Sequence, residues 1–177
     1  MGRVEHSLVL LRHAKSDRSG GERDVDRPLT RRGRRQAPEA GRWLAAHRAP
    51  GLAVVSPARR ARDTWDLVAA ELVQPPEVRV DDRVYAATAR ELLEVVRELP
   101  EDAATVVLVG HNPGLEDLAA LLTGAGVAMP TSALVVLAVP GPWSGLAARV
   151  ATVTASGRPP ADVATQEPRT DHSTTPD

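Results

Sequence analysis

The 177-residue sequence contains no cysteine and no phenylalanine, only one lysine, and no apolar run longer than a strand. Without cysteine there is no disulfide, thiolate nucleophile, iron–sulfur cluster or cysteine-based zinc site. Without phenylalanine, and with Trp43, Trp65, Tyr85 and Trp143 as the whole aromatic complement, the core is expected to consist of Val, Leu and Ala in small-residue layers. The short apolar runs exclude a bilayer-spanning helix, and the N-terminus lacks an apolar stretch of signal-peptide length. A soluble, cytoplasmic protein is the expectation. The net charge of −1 offers no global field to recruit nucleic acid or an anionic membrane. Lys15 stands alone among 22 basic residues, a bias that reads as compositional.

Three continuous apolar runs, Leu8 to Leu11, Ala53 to Val55 and Thr105 to Val109, have the pattern of strands buried on both faces. Helix signals separate them. Thr30 is placed to cap a helix running to about His47, with Ala37, Ala40, Trp43 and Leu44 facing inward and Pro38 expected to kink it or delay its start. Ser56-Pro57 predicts an N-cap and first helical residue of a helix to about Val73. Thr88 and Glu91 form a capping box for a helix ending near Pro100, and Asn112-Pro113 opens another to about Leu122. Glu77 to Val80 reads as a short strand. Ala133 to Val139 and Ala147 to Val153 read as two more, joined without a helix, so one edge of the sheet is expected to be antiparallel. Alternation of this kind predicts an α/β fold with three layers, a mostly parallel central sheet carrying helices on both faces. Residues 1–154 would form the domain, and 155–177, poor in apolar side chains, a disordered tail. Residues 17–28 read as a surface loop.

Each of the three strands ends at a junction that carries chemistry: Arg12-His13, Ser56 to Arg60, and Gly110-His111. Ligands of open α/β sheets bind in the crevice beyond the carboxyl ends of the strands. Two imidazoles and two guanidiniums brought there would form a small cationic pocket suited to a phosphoryl group. Arginine binds two oxygens through a planar fork and never deprotonates, which makes Arg12 and Arg60 the candidate clamps. Helix starts after Ser56 and Asn112 would add backbone N–H groups. Neutral imidazole is a competent nucleophile near pH 7, and His13 is the candidate, with His111 as a second donor. Arg59 and Arg62 read as solvated, as does the run Arg31, Arg32, Arg34 and Arg35, which has no aromatic partners for nucleic acid. His6, His47 and His172 carry no neighbouring signal. No histidine pair has metal-ligand spacing, Asp24-Val25-Asp26 does not follow a buried strand as an aspartate nucleophile should, and no P-loop is present.

Together the junctions resemble the histidine phosphatase superfamily, the phosphoglycerate-mutase-like fold. Arg12-His13-Ala14 stands where that family has Arg-His-Gly. Ser56-Pro57-Ala58-Arg59-Arg60-Ala61-Arg62-Asp63-Thr64 is similar to its second motif and Gly110-His111 to its third. The small SixA-type branch of phosphohistidine phosphatases is the nearer resemblance, through Arg12-His13-Ala14-Lys15-Ser16, Asp26-Arg27-Pro28-Leu29-Thr30 with Gly33, and His111-Asn112-Pro113-Gly114. The resemblance, spanning residue 8 to about 153, implies a metal-independent phosphatase without cofactor. His13 would be transiently phosphorylated, Arg12, Arg60 and His111 would complete the site, and Lys15 and Ser16 would contact substrate. The implied partner is a phosphohistidine-bearing protein or a phosphorylated small molecule. A small-molecule phosphomonoesterase and a non-catalytic phosphate-binding module are the alternatives. Larger relatives carry a general acid between the second and third motifs; Asp81, Asp82 and Glu91 occupy that stretch here without a motif, and the acid is unassigned.

Overall fold

The computed structural model describes residues 5–158 and 160–162. Its elements, in chain order, are β1 (Glu5–Arg12), α1 (Arg31–His47), β2 (Leu52–Val55), α2 (Arg59–Ala69), β3 (Glu77–Val80), α3 (Ala89–Arg97), β4 (Thr105–Gly110), α4 (Gly114–Thr123), β5 (Leu134–Pro140), β6 (Thr152–Gly157) and β7 (Pro160–Asp162). Short 3₁₀ turns cover Asp24–Asp26, Asp82–Val84 and Trp143–Gly145. The strands form one sheet in the order β3-β2-β4-β1-β5-β6-β7. Strands β3, β2, β4 and β1 are parallel to one another, while β5, β6 and β7 each run antiparallel to the preceding neighbour. The expected antiparallel edge is therefore three strands wide.

Side chains of a strand alternate between the faces of its sheet. In β1, Leu8 and Leu10 enter the core beneath α3 and α4, with Leu92, Val96, Leu115 and Leu122. Val9 and Leu11 enter the opposite core beneath α1 and α2, with Ala37, Leu44, Trp65 and Val68. Central strands with both faces covered must be apolar throughout, which is why β1, β2 and β4 lack polar alternation. The three-layer arrangement follows directly. Among the described residues no helix is long and apolar enough to cross a membrane.

Several local expectations are corrected. Thr30 caps α1 as anticipated, accepting from the Gly33 N–H, and the helix runs unbroken past Pro38. Trp43 is only partly buried: it packs against the margin of the core and stacks on His47 at 4.7 Å. Helix α2 starts at Arg59 rather than Pro57, with Ala58 as its N-cap residue, and it ends at Ala69. Helix α4 starts at Gly114, with the Asn112 side chain donating to Met129 O instead of capping. The strand placed at Ala147–Val153 begins only at Thr152. Buried Trp143, the turn around it and Arg149 at φ 60° take up the intervening chain.

The boundary drawn between 154 and 155 falls inside β6. Ala155 is buried and pairs with Val136, and the chain continues through β7. Two apolar-poor residues, Ser156 and Gly157, hid the strand, which is held by backbone pairing more than by side chains. The remainder of the expected tail, 163–177, lies outside the described residues. Ending the chain after Thr154 should therefore destabilise the domain. Each lost hydrogen bond contributes about 0.5–1.5 kcal/mol net, so the expected loss is about 2–4 kcal/mol. A thermal melt should show the midpoint falling by roughly 5–15 °C for a domain of this size; an unchanged midpoint would mean that β6 and β7 add nothing.

Candidate active site

Parallel register places Arg12 opposite Gly110 and Val55 opposite Val109. The next residue of each strand, His13, His111 and Ser56, therefore leaves the sheet at one level. All six residues singled out from sequence, Arg12, His13, Lys15, Ser16, Arg60 and His111, line one cavity of about 250 Å³ at that level. A larger groove of about 590 Å³ at the starts of β2 and β4 holds none of them. Among the described residues no group of three or more His, Cys, Asp or Glu side chains is placed to hold a metal.

The His13 ring is fixed at both nitrogens. Nδ1 donates to Ala14 O at 2.8 Å, which leaves Nε2 with its lone pair, and Arg60 Nε donates to that atom at 3.3 Å. The backbone beneath is pinned as well: Ala14 N–H donates to Thr64 Oγ1, and Thr64 donates in turn to Arg60 O. Thr64 is the last residue of the second motif and its role was not evident from sequence. Across the cavity, His111 lies 5.1 Å from His13 between ring centroids, its Nε2 2.7 Å from Ser56 Oγ. Ser56 Oγ also accepts the Ala58 N–H, so that helix-start donor is not free for an anion. His111 Nδ1 is buried without a partner.

Arg12 donates through Nη1 to Met129 O, while its Nε is buried and unpartnered. Arg60, on the first turn of α2, is 5% exposed even though it is charged. Arg59 instead points to Asp63 at the surface. Lys15 and Ser16 follow His13 along the wall. The start of α1 closes over them because Gly33 has no side chain; a Cβ there would lie 2.2 Å from Lys15 O.

Four residues given no individual role from sequence also shape the site, of which only Arg27 stands in a quoted motif. Asp24, from the loop read as mere surface, accepts Arg60 Nη1 on its backbone oxygen at 2.6 Å and Arg60 Nη2 on Oδ2 at 3.1 Å. Tyr85 donates to the same Oδ2 at 2.6 Å, and Arg27 Nε donates to Oδ1 at 2.9 Å. Arg27 also reaches Ser16 Oγ, and Arg18 completes the cationic lining. The expected acids are elsewhere. Asp81 caps the turn at Asp82–Val84 and pairs with Arg83, and Glu91 is held in the Thr88 capping box. Asp82, exposed, does not line this cavity.

Crowded cations and burial govern protonation here. Burial pushes the His13 imidazole down to about 4; the Ala14 carbonyl opposes this, and Arg60, Arg12 and Arg27 reinforce it. Burial, the neighbouring His13 and Arg60 push His111 down to about 3. Tyr85's hydrogen bond, aided by the Arg60 and Arg27 charges, holds the Asp24 carboxyl down to about 2. Both imidazoles are thus neutral at pH 7 and Asp24 is ionised. An unfolded histidine takes its proton near pH 6.5, so as the pH is lowered from about 6.5 towards these values the unfolded chain binds more protons and folding stability is progressively lost. Two outcomes are expected. An NMR titration should find both rings neutral at pH 5, and replacing either ring by Gln should lessen the drop in melting midpoint between pH 7 and pH 4.5. A ring titrating above pH 6 in the free protein would contradict this picture.

With this geometry in view, the likeness to known proteins is extensive. The family profile "Histidine phosphatase superfamily (branch 1)" matches residues 8–85. An uncharacterised Mycobacterium tuberculosis protein is 38% identical over 146 residues, covering 76% of this chain and 90% of that one. The solved structure of a candidate phosphohistidine phosphatase SixA from Nakamurella multipartitia is 31% identical with a TM-score of 0.78, over 86% of this chain and 95% of that one. Its counterpart from Agrobacterium tumefaciens is 30% identical with a TM-score of 0.70, over 76% and 92% respectively. In fold and in sequence alike, the chain belongs to the histidine phosphatase superfamily, in its SixA-like branch.

Proposed function

We propose that this protein is a metal-independent phosphatase that works through a phosphohistidine on His13 and acts on phosphohistidine, in a protein or as a small phosphoramidate. The observation that carries this reading is the His13 ring, with Nδ1 tied to a carbonyl and the Nε2 lone pair turned to Arg60 in a cavity crowded with arginine. A phosphoryl group entering the cavity meets Arg12 and Arg60 as forks for its oxygens, with Arg27 behind. His13 Nε2 attacks phosphorus, and the bond to the leaving group breaks on the opposite side. Positive charge then develops on the imidazole, where the Ala14 carbonyl stabilises it. Arg60 Nε passes from the consumed lone pair to a phosphoryl oxygen. With Ser56 donating to Nε2, His111 carries its own proton on Nδ1 and offers it to the same group, satisfying a buried donor that otherwise costs about 1–3 kcal/mol. Water then cleaves the phospho-His13 intermediate to give inorganic phosphate.

The leaving group decides the substrate class. Asp24 is the carboxyl group at the cavity, and at about 2 it has no proton to give at neutral pH. Only 50 residues separate Arg60 from His111, leaving little room for an inserted acid-bearing lid. An alkoxide needs a proton as it departs, help worth about 10²–10⁴-fold. Imidazole departs readily, since its conjugate acid has a pKa near 6.5. Phosphohistidine and aryl phosphates should accordingly exceed a sugar phosphate in kcat/KM by at least about 10²-fold. Comparable rates on an alkyl ester would reveal a competent acid.

The nucleophile is tested by His13→Ala, which should abolish turnover in chelator-treated protein and leave the fold intact. Quenched wild type should carry acid-labile, base-stable phosphate on His13; label on a carboxylate would rule out the mechanism. Arg60→Ala should lose about 10²–10³ in rate, as loss of a preorganised donor does, while Arg59→Ala stays near wild type. Equal losses at the two positions would show that the clamp is misassigned.

A further inference from the structure

A second cavity of about 400 Å³ adjoins the first. Asp24, Arg60, His111 and Asn112 line both, whereas His13 lines only the first. The charges of the two differ. The first presents Arg12, Lys15, Arg18, Arg27 and Arg60 against one carboxylate, Asp24. The second presents Asp24 and Asp117 against Arg60 alone, and its other walls include Tyr85, Ala86, Ala87 and Pro113. Asn112 Oδ1, in the shared wall, is a buried acceptor without a partner. The start of α4 comes close to the Ala87 loop at Gly114, where a Cβ would lie 2.3 Å from Ala87 O, so this wall is held in place by a close backbone approach.

Resting on the phosphatase reading above, we infer that the second cavity is the leaving-group site and that Asp24, Asp117 and Asn112 select a flat, protonated nitrogen base there over an anionic or sugar-like group. In-line displacement puts nucleophile and leaving group on opposite sides of phosphorus. A phosphoryl group held by the shared residues, with His13 on one side, directs its leaving group into the second cavity. An N-phosphorylated imidazole protonated on its other nitrogen is a cation at that point. Its N–H finds a hydrogen-bond acceptor in Asn112 Oδ1 or a carboxylate, which favours the protonated form. As the bond from His13 Nε2 to phosphorus forms, the P–N bond to the substrate breaks. The electron pair goes to the departing ring nitrogen, and the ring leaves as neutral imidazole, keeping the proton on its other nitrogen. No acid is consumed. A substrate with a carboxylate or second phosphate on the leaving side would meet two carboxylates instead.

The test compares N-phosphorylimidazole with p-nitrophenyl phosphate, whose leaving group is an anion. Asp117 forms no hydrogen bond or ion pair with Arg60, so Asp117→Asn should lower kcat/KM for the phosphoramidate about tenfold and raise it for the aryl ester, whose anionic leaving group then meets one carboxylate fewer. Asp24→Asn should harm both substrates through Arg60, and the phosphoramidate about tenfold more. The permanent cation 1,3-dimethylimidazolium should inhibit wild type competitively and Asp117→Asn more weakly, while benzoate should inhibit neither. Equal losses on both substrates in both variants, or inhibition by benzoate matching that by the cation, would overturn the assignment. Failure to turn over either substrate, or to form phospho-His13, would instead reject the phosphatase reading itself.

Discussion

A strand of a parallel sheet can be shifted by one residue only by turning every side chain to the other face. The two apolar cores prevent such a slip in β1, β2 and β4, because Leu8 and Val9 belong to different cores. That constraint, set by ordinary hydrophobic packing far from any chemistry, fixes Arg12 beside Gly110 and Val55 beside Val109. The imidazoles of His13 and His111 then meet 5.1 Å apart without any dedicated contact holding them together. Packing energy is spent once, on the sheet, and the site inherits its precision.

What the sheet brings together repels itself. Five cationic side chains line a cavity of about 250 Å³, and carbonyl oxygens and one carboxylate offset them. Met129 O serves Arg12, and Asp24 serves both Arg60 and Arg27. Histidine, held down chiefly by burial and further by these cations, stays neutral, which keeps its lone pair available. Arginine cannot answer that way, so its charge remains for an arriving anion.

The strands, the helices and the three junctions were legible in sequence because each depends on local pattern: apolar runs, caps and short motifs. Asp24 was not. It lies in a segment without periodicity, 36 residues from Arg60, and its value arises only when Arg27, Tyr85 and Arg60 converge on it. Tyr85 was hidden similarly, as a lone aromatic in a connecting stretch. Ser56 before Pro57 reads as a cap; its hydroxyl does accept the Ala58 N–H, and it is also shared with a histidine two strands away in sequence, which nothing local marks. Thr64 sat in a recognised motif, yet its hydrogen bond to the Ala14 N–H joins segments 50 residues apart. The bounds of strand β6 were harder to read because it is paired by its backbone to β5 and β7, which leaves little trace in residue type.

The loop that delivers Asp24 has consequences for how the molecule wears out. It buries no apolar residue in its 3₁₀ turn and is fastened mainly by the contacts of Asp24 and Arg27 and by the bridge from Ser16 to Leu29. Segments with few apolar contacts open at lower free energy than the core around them. Arg60 therefore loses its support before the sheet loses any of its pairing. Function and fold fail separately in such a molecule, and proteolytic nicking in this loop would silence the site in a chain that remains spectroscopically native.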